Sequence, residues 1–271
     1  MHPDRFRFFP TAGLFSVMCL SLAVVGCSGK PGSGDGEWTA NHERLQTIAD
    51  HGLAGEDDVP FALERLENGS VTERVLAAWA LGEIEHAGAE PKLREALEDP
   101  DANVRSNVVG ALVKLEPGDW VDILATGLSD RDSFVQQSTL SQLPEPTPLA
   151  LVESISGLLN DSDDETVRIG AADALGAARG DGVAEALARG ATDLAKDVRV
   201  HVAFALGKIE DSAAIPVLVT LLTDEQWEVR ANAVQALGKY EDPGALEAVR
   251  GMLEDSSESV RTVAASIVGA G

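Results

Sequence analysis

Catalysis by a metal, a nucleophile or an acid–base pair needs particular side chains at particular spacings, and this chain supplies few of them. Its five histidines, His2, His42, His51, His86 and His201, contain no His-x-x-x-His pair and follow no period. The cysteines are Cys19 and Cys27. Cys19 lies in an apolar leader, so a single thiol would remain in the mature chain, which excludes a disulfide framework and a cysteine metal site. No Gly-x-Ser-x-Gly elbow, phosphate loop or dinucleotide fingerprint is present. The expectation is a chain without catalytic residues, metal or cofactor.

The remaining thiol points to a different chemistry. Arg5 and Arg7 precede a mainly apolar run from Phe8 to Val25, and Val24-Val25-Gly26-Cys27 resembles a lipobox, in which a small residue before the cysteine permits cleavage. Residues 1–27 are expected to be a lipoprotein signal peptide with Cys27 as the lipidated residue. An uncleaved signal anchor or an ordinary secretory signal is the alternative. Residues 28–40, rich in Gly and Ser, have the composition of a flexible tether. The expected location is the cell envelope, with the chain anchored to a membrane and facing outside the cytoplasm. Ser28 rather than Asp after the cysteine favours the outer membrane in a diderm host.

Arginine and aspartate are the ionisable residues that do recur. Arg74, Arg105, Gln136, Arg168, Arg199, Arg230 and Arg261 are spaced by 31 residues, with one step of 32. Val precedes six of the seven, and Leu follows seven residues later in all but the last, where Val268 stands. Six residues before the arginine there is usually an acid: Asp99, Asp130, Asp193, Asp224 or Asp255. A period of this length marks stacked supersecondary units.

Each unit reads as two helices. Around Arg199, the stretch 197–209 places Val198, Val202, Leu206 and Ile209 on one stripe. A second run, 214–222, aligns Ile215, Leu218, Leu221 and Leu222, with Pro216 tolerated in the first turn. Glu210-Asp211-Ser212 is the polar bridge between them. Such a hairpin cannot bury its apolar stripes alone and must stack on copies of itself.

The Asp-x5-Arg and Val-Arg-x6-Leu-Gly pattern resembles the HEAT repeat, in the subgroup related to phycobilisome lyase HEAT-like repeats. The resemblance covers residues 70–271, with a degenerate half or whole unit in 41–69. It implies an all-α, right-handed α-solenoid of about six to seven hairpins over 41–271. It also implies a structural ladder between neighbouring repeats, carried here by Asp99, Arg105, Asp193, Arg199, Asp224, Arg230, Asp255 and Arg261. The unit of Gln136 departs from the pattern: it lacks the arginine, replaces Leu-Gly by Leu143-Pro144 and holds the extra residue, so the ladder should break there. The family also includes bilin-lyase-like enzymes and a di-iron hydroxylase type. The latter needs several His-Glu pairs, and this chain has only His42-Glu43.

Charge narrows the partners. There are 45 acidic residues against 21 Lys plus Arg, a formal net charge of −24, which disfavours nucleic acid and anionic lipid headgroups. Acids gather at the joints between repeats, as an acidic ridge that could meet basic partners or divalent cations, cap helices, or reflect high salt. The second helices carry small and weakly charged residues at positions expected to face out: Ile123, Thr126, Ser156, Ala188, Val217, Val219 and Thr220. They form a candidate trough for a protein or peptide. Trp227, at a joint where other units carry polar or small residues, is a candidate exposed hot spot, although such a ring can also pack over a neighbouring loop. The last helix, 256–268, has no second helix after it in this sequence and is expected either to cap the stack or to meet another subunit or partner, as a candidate surface for self-association. The functional expectation is therefore a lipid-anchored binding or scaffold module, with an enzyme or enzyme accessory of the bilin-lyase-like or HEAT-like metal hydroxylase type as the alternative.

Overall fold

The computed structural model describes residues 38–52 and 55–269. The signal segment, Cys27 and most of the tether lie outside the described residues. Among them every regular element is helical, and one isolated bridge joins Thr147 to Ala178. The chain divides into two compact units, residues 1–127 and 128–271.

The first unit is a stack of three hairpins. Helix α1 (Ala40–His51) pairs with α2 (Asp58–Asn68), α3 (Val71–Glu83) with the short α4 (Glu90–Glu95), and α5 (Ala102–Lys114) with α6 (Trp120–Leu128), which runs one residue past the division. The degenerate stretch 41–69 is thus a whole hairpin. Local chemistry sets the helix starts. Ser70 and Glu73 form a reciprocal capping box at α3, in which Glu73 Oε2 accepts the Ser70 N–H at 2.8 Å. At α1, His42 Nδ1 accepts the Thr39 N–H at 2.9 Å, and the ring stacks on Trp38 with centroids 5.0 Å apart. Helix α3 packs against α1, α2 and α5, burying Leu45, Leu66, Leu76, Leu81, Leu93 and Leu112 in one cluster.

The second unit repeats the plan: α7 (Ser133–Ser141) with α8 (Val152–Asp161), α9 (Glu165–Ala177) with α10 (Val183–Ala188), α11 (Lys196–Leu206) with α12 (Ala214–Leu221), and α13 (Trp227–Leu237) with α14 (Pro243–Gly251). Helix α15 (Glu258–Val268) follows. First helices pack on first helices, α7 on α9, α9 on α11, α11 on α13 and α13 on α15. The valine and leucine columns, Val167, Val198, Val229, Val260 with Leu175, Leu206 and Leu237, line this core. In the proline-bearing unit α7 ends early, and the chain turns and bends through 142–146 before the Thr147 N–H donates to the Ala177 carbonyl at 3.3 Å.

The glycines of the Leu-Gly dipeptides sit where neighbouring first helices come closest. A Cβ on Gly82 would lie 2.9 Å from the Cβ of Ala111, and one on Gly207 2.8 Å from the Cβ of Ala236. Gly207 keeps an ordinary right-handed conformation. The glycine is there because the next first helix approaches too closely for any side chain. Left-handed backbone occurs instead at glutamates in the hairpin turns, Glu85, Glu116 and Glu210.

Candidate functional site

The period brings the arginines and aspartates to the joints, and their geometry repeats. Arg199 Nε lies 2.6 Å from Asp224 Oδ2 and Nη2 2.9 Å from Oδ1, while Nη1 donates to the Asp193 carbonyl at 2.8 Å. Arg230 grips both oxygens of Asp255 at 2.8 Å each and the Asp224 carbonyl at 2.9 Å. Arg168 does the same with Asp193 and the Ser162 carbonyl, and Arg74, in the first unit, with Asp99 and the Gly69 carbonyl. Each arginine therefore pairs with the aspartate 25 residues further on, and reaches backward only to backbone. Arg105 and Arg261 make the same backward bonds, to the carbonyls of Asp99 and Asp255.

Gln136 keeps one half of this arrangement. Its Nε2 donates to the Asp130 carbonyl at 2.7 Å, as Nη1 does elsewhere, but an amide has no second donor pair for a carboxylate. Because this step is 32 residues, the place of the pairing aspartate is taken by Ser162, whose carbonyl accepts from Arg168 and whose hydroxyl accepts the Asp164 N–H at 3.3 Å. Asp161, next to it, carries no ion pair and is exposed.

One or two acids at each joint have structural work. The pairing aspartate also accepts a backbone N–H two residues on, from Asp101 to Asp99, Ala195 to Asp193, Gln226 to Asp224 and Ser257 to Asp255. A second aspartate caps the following helix at Asp101, Asp132 and Asp164. Asp255 is held below the ordinary aspartate range by its hydrogen bonds from Arg230. Burial pushes Asp224 up, but the bonds from Arg199 and the Gln226 N–H prevail and its pKa is also lowered. The carboxylates in turn push Arg168, Arg199 and Arg230 upward.

The second helices differ from the expected trough. Ile123 is 2% exposed and belongs to the core of the first unit, and Ser156 is 5% exposed between Ile155, Leu158 and Leu159. Neither can line a surface. A second helix also packs on the first and second helices of the next hairpin, as α8 does on α9 and α10, so its buried stripe is wider than one hairpin requires. Thr126, Val219 and Thr220 are exposed, while Ala188 and Val217 are half-buried. The hydroxyls of Thr126 and Thr220 donate to the carbonyls of Asp122 and Pro216 within their own helices.

Trp227 begins α13 and is 45% exposed. Sequence reasoning missed Leu194, which is 99% exposed at the preceding joint. A signal was available: the same place in the other units holds Gly69, Pro100, Arg131, Asp163, Glu225 and Ser256. Among the described residues no group of three or more His, Cys, Asp or Glu could hold a metal ion, and no helix is long and apolar enough to cross a membrane. His42 caps α1, and His201 Nδ1 lies 2.8 Å from Asp173 Oδ1.

A family model of HEAT repeats matches residues 59–144 and 184–268. No curated protein sequence matches the chain. Among solved structures, the chain is similar to YibA of Escherichia coli, at 18% identity and a TM-score of 0.56 over 90% of this chain and 100% of that one. It is also similar to an engineered protein, at 22% identity and a TM-score of 0.51 over 84% of this chain and 70% of that one. Human deoxyhypusine hydroxylase in complex with glycerol aligns at 23% identity over 96% of this chain and 100% of that one, with a TM-score of 0.43.

Proposed function

We propose that this chain, which belongs to the HEAT repeat family, is a protein-binding or scaffold module without chemistry of its own, anchored outside the cytoplasm by a lipid on Cys27. The observation that carries the binding reading is the engagement of the periodic side chains. Arginine and aspartate are the ionisable residues repeated often enough to build a site, and they grip each other and the backbone of the joints. What remains without an internal role is exposed apolar surface on regular hairpins, Val219 among it. Stacked hairpins offer such surface in extended form, suited to a protein or peptide rather than to a small substrate.

Substituting Val217→Glu and Val219→Glu tests the second-helix surface. In affinity capture from membranes these changes should abolish one specific binder, and an unchanged set of captured proteins would refute that surface. Stoichiometric iron in the purified protein would instead support a hydroxylase-type enzyme. The anchor rests on the lipobox-like Val24-Val25-Gly26-Cys27 and the tether after it. Cys27→Ala should abolish lipid labelling, and persistent labelling would rule out the assignment.

A further inference from the structure

The joints after α10 and α12 present exposed apolar side chains, as the joint before α3 does with Val71. Leu194 is fully exposed and Trp227 nearly half exposed. They share one edge of the second unit: Lys196 Nζ, two residues after Leu194, contacts Glu228 Oε1, next to Trp227, at 2.8 Å. The Leu194 side chain, fully exposed, does not serve the joint. The Leu194 carbonyl receives a bond from Arg199, but that bond needs only backbone, and any residue could supply it.

The surroundings define what such an edge can hold. Asp161, Asp163, Glu165, Asp197 and Glu225 are exposed and carry no ion pair. A depression of about 390 Å³ opens beside Leu194, bordered by Asp161, Asp163 and the exposed Arg189. Apolar side chains set among unpaired carboxylates repel anionic headgroups, and a second copy of a chain with net charge −24 would be repelled as well. A segment carrying both positive charge and apolar side chains satisfies both features.

We propose that this edge, around Leu194 and Trp227, docks a basic peptide segment of another protein, with an apolar side chain seated between those two residues and lysine or arginine on the flanking carboxylates. The inference rests on the protein-binding reading above and assigns it a surface and a partner chemistry.

The test uses the full chain with a short synthetic peptide of alternating lysine and leucine, and oligolysine of equal charge as comparison. The leucine-bearing peptide should bind about tenfold more tightly than oligolysine, and Leu194→Ser with Trp227→Ser should erase that difference while leaving oligolysine affinity unchanged. Equal binding of the two peptides, no binding of either, or a preference that survives the double substitution would overturn the proposal. Hydrogen exchange on the unsubstituted chain guards against a folding defect. Peptide-induced protection should fall at residues 193–197 and 224–228. Protection confined to the second helices would remove this edge as the site while leaving the broader protein-binding reading standing. That reading fails on its own if the unsubstituted chain captures no specific protein from membranes.

Discussion

Arg199 holds Asp224 through two parallel hydrogen bonds, with both side chains 9% exposed, so one hairpin is fastened to the next by a nearly buried, bidentate ion pair. Removing one partner leaves the other charge desolvated and alone, at a cost of about 3 kcal/mol. Asp224→Ala should lower the urea midpoint of unfolding accordingly. Arg199→Met with Asp224→Leu should recover most of the loss, because no buried charge is then left unpaired. Equal stability of Asp224→Ala and the unsubstituted protein would show that the pair is solvated.

Glycine substitutions should separate by environment. A methyl on Gly207 would meet Ala236 at 2.8 Å, so Gly207→Ala should destabilise by about 1–3 kcal/mol as α11 and α13 are forced apart. Gly157 lies inside α8 with nothing within 4 Å of a Cβ. There Gly157→Ala should stabilise by up to about 1 kcal/mol through helix propensity alone. Thermal unfolding of the two variants measures both, and a shift of the same sign would contradict the packing.

Acid should weaken the joints. Asp224 and Asp255 have folded-state pKa values below their unfolded ones. The stability they contribute is fully present above the ordinary aspartate value of about 4 and is lost as pH falls through the lowered folded values. Unfolding free energy should therefore decline below about pH 4, and Asp255→Asn should flatten that decline. A slope unaffected by the substitution would exclude this pair as its source.

Tyr240 gives a signal at the opposite end of the pH scale. Its phenol donates to the Leu206 carbonyl, and burial, with the charges of Asp211 and Glu210, pushes its pKa up to about 12. The folded value is raised, so the stabilisation is intact below the ordinary value of about 10 and is lost as pH rises through about 12. It is the chain's one tyrosine, so ultraviolet titration of the phenolate reads it directly. A midpoint near 10 in the folded protein would show an exposed ring.

Much of the fold was legible because its causes are local. The first helix expected at 197–209 is Lys196–Leu206, and the second expected at 214–222 is Ala214–Leu221, since the apolar spacing and turn residues lie within one unit. The candidate surface was less legible. Ile123 and Ser156 looked like outward positions when α6 and α8 were considered one hairpin at a time, and their burial comes from packing on neighbours. Leu194 interrupts no motif, so nothing in the repeat pattern marks it as exposed.

The sequence by itself determined the repeat: its period, its two helices, the capping residues and the columns of Val, Leu, Arg and Asp, all of which express the hydrogen bonding and apolar stripes of a single hairpin. Only the tertiary structure decided what passes between hairpins. It joined Arg199 to Asp224 rather than to Asp193, placed Gly207 against Ala236, withdrew Ile123 and Ser156 from the surface and left Leu194 and Trp227 on it. Those outcomes depend on how closely one helix approaches another a whole repeat away, and no local pattern encodes that distance.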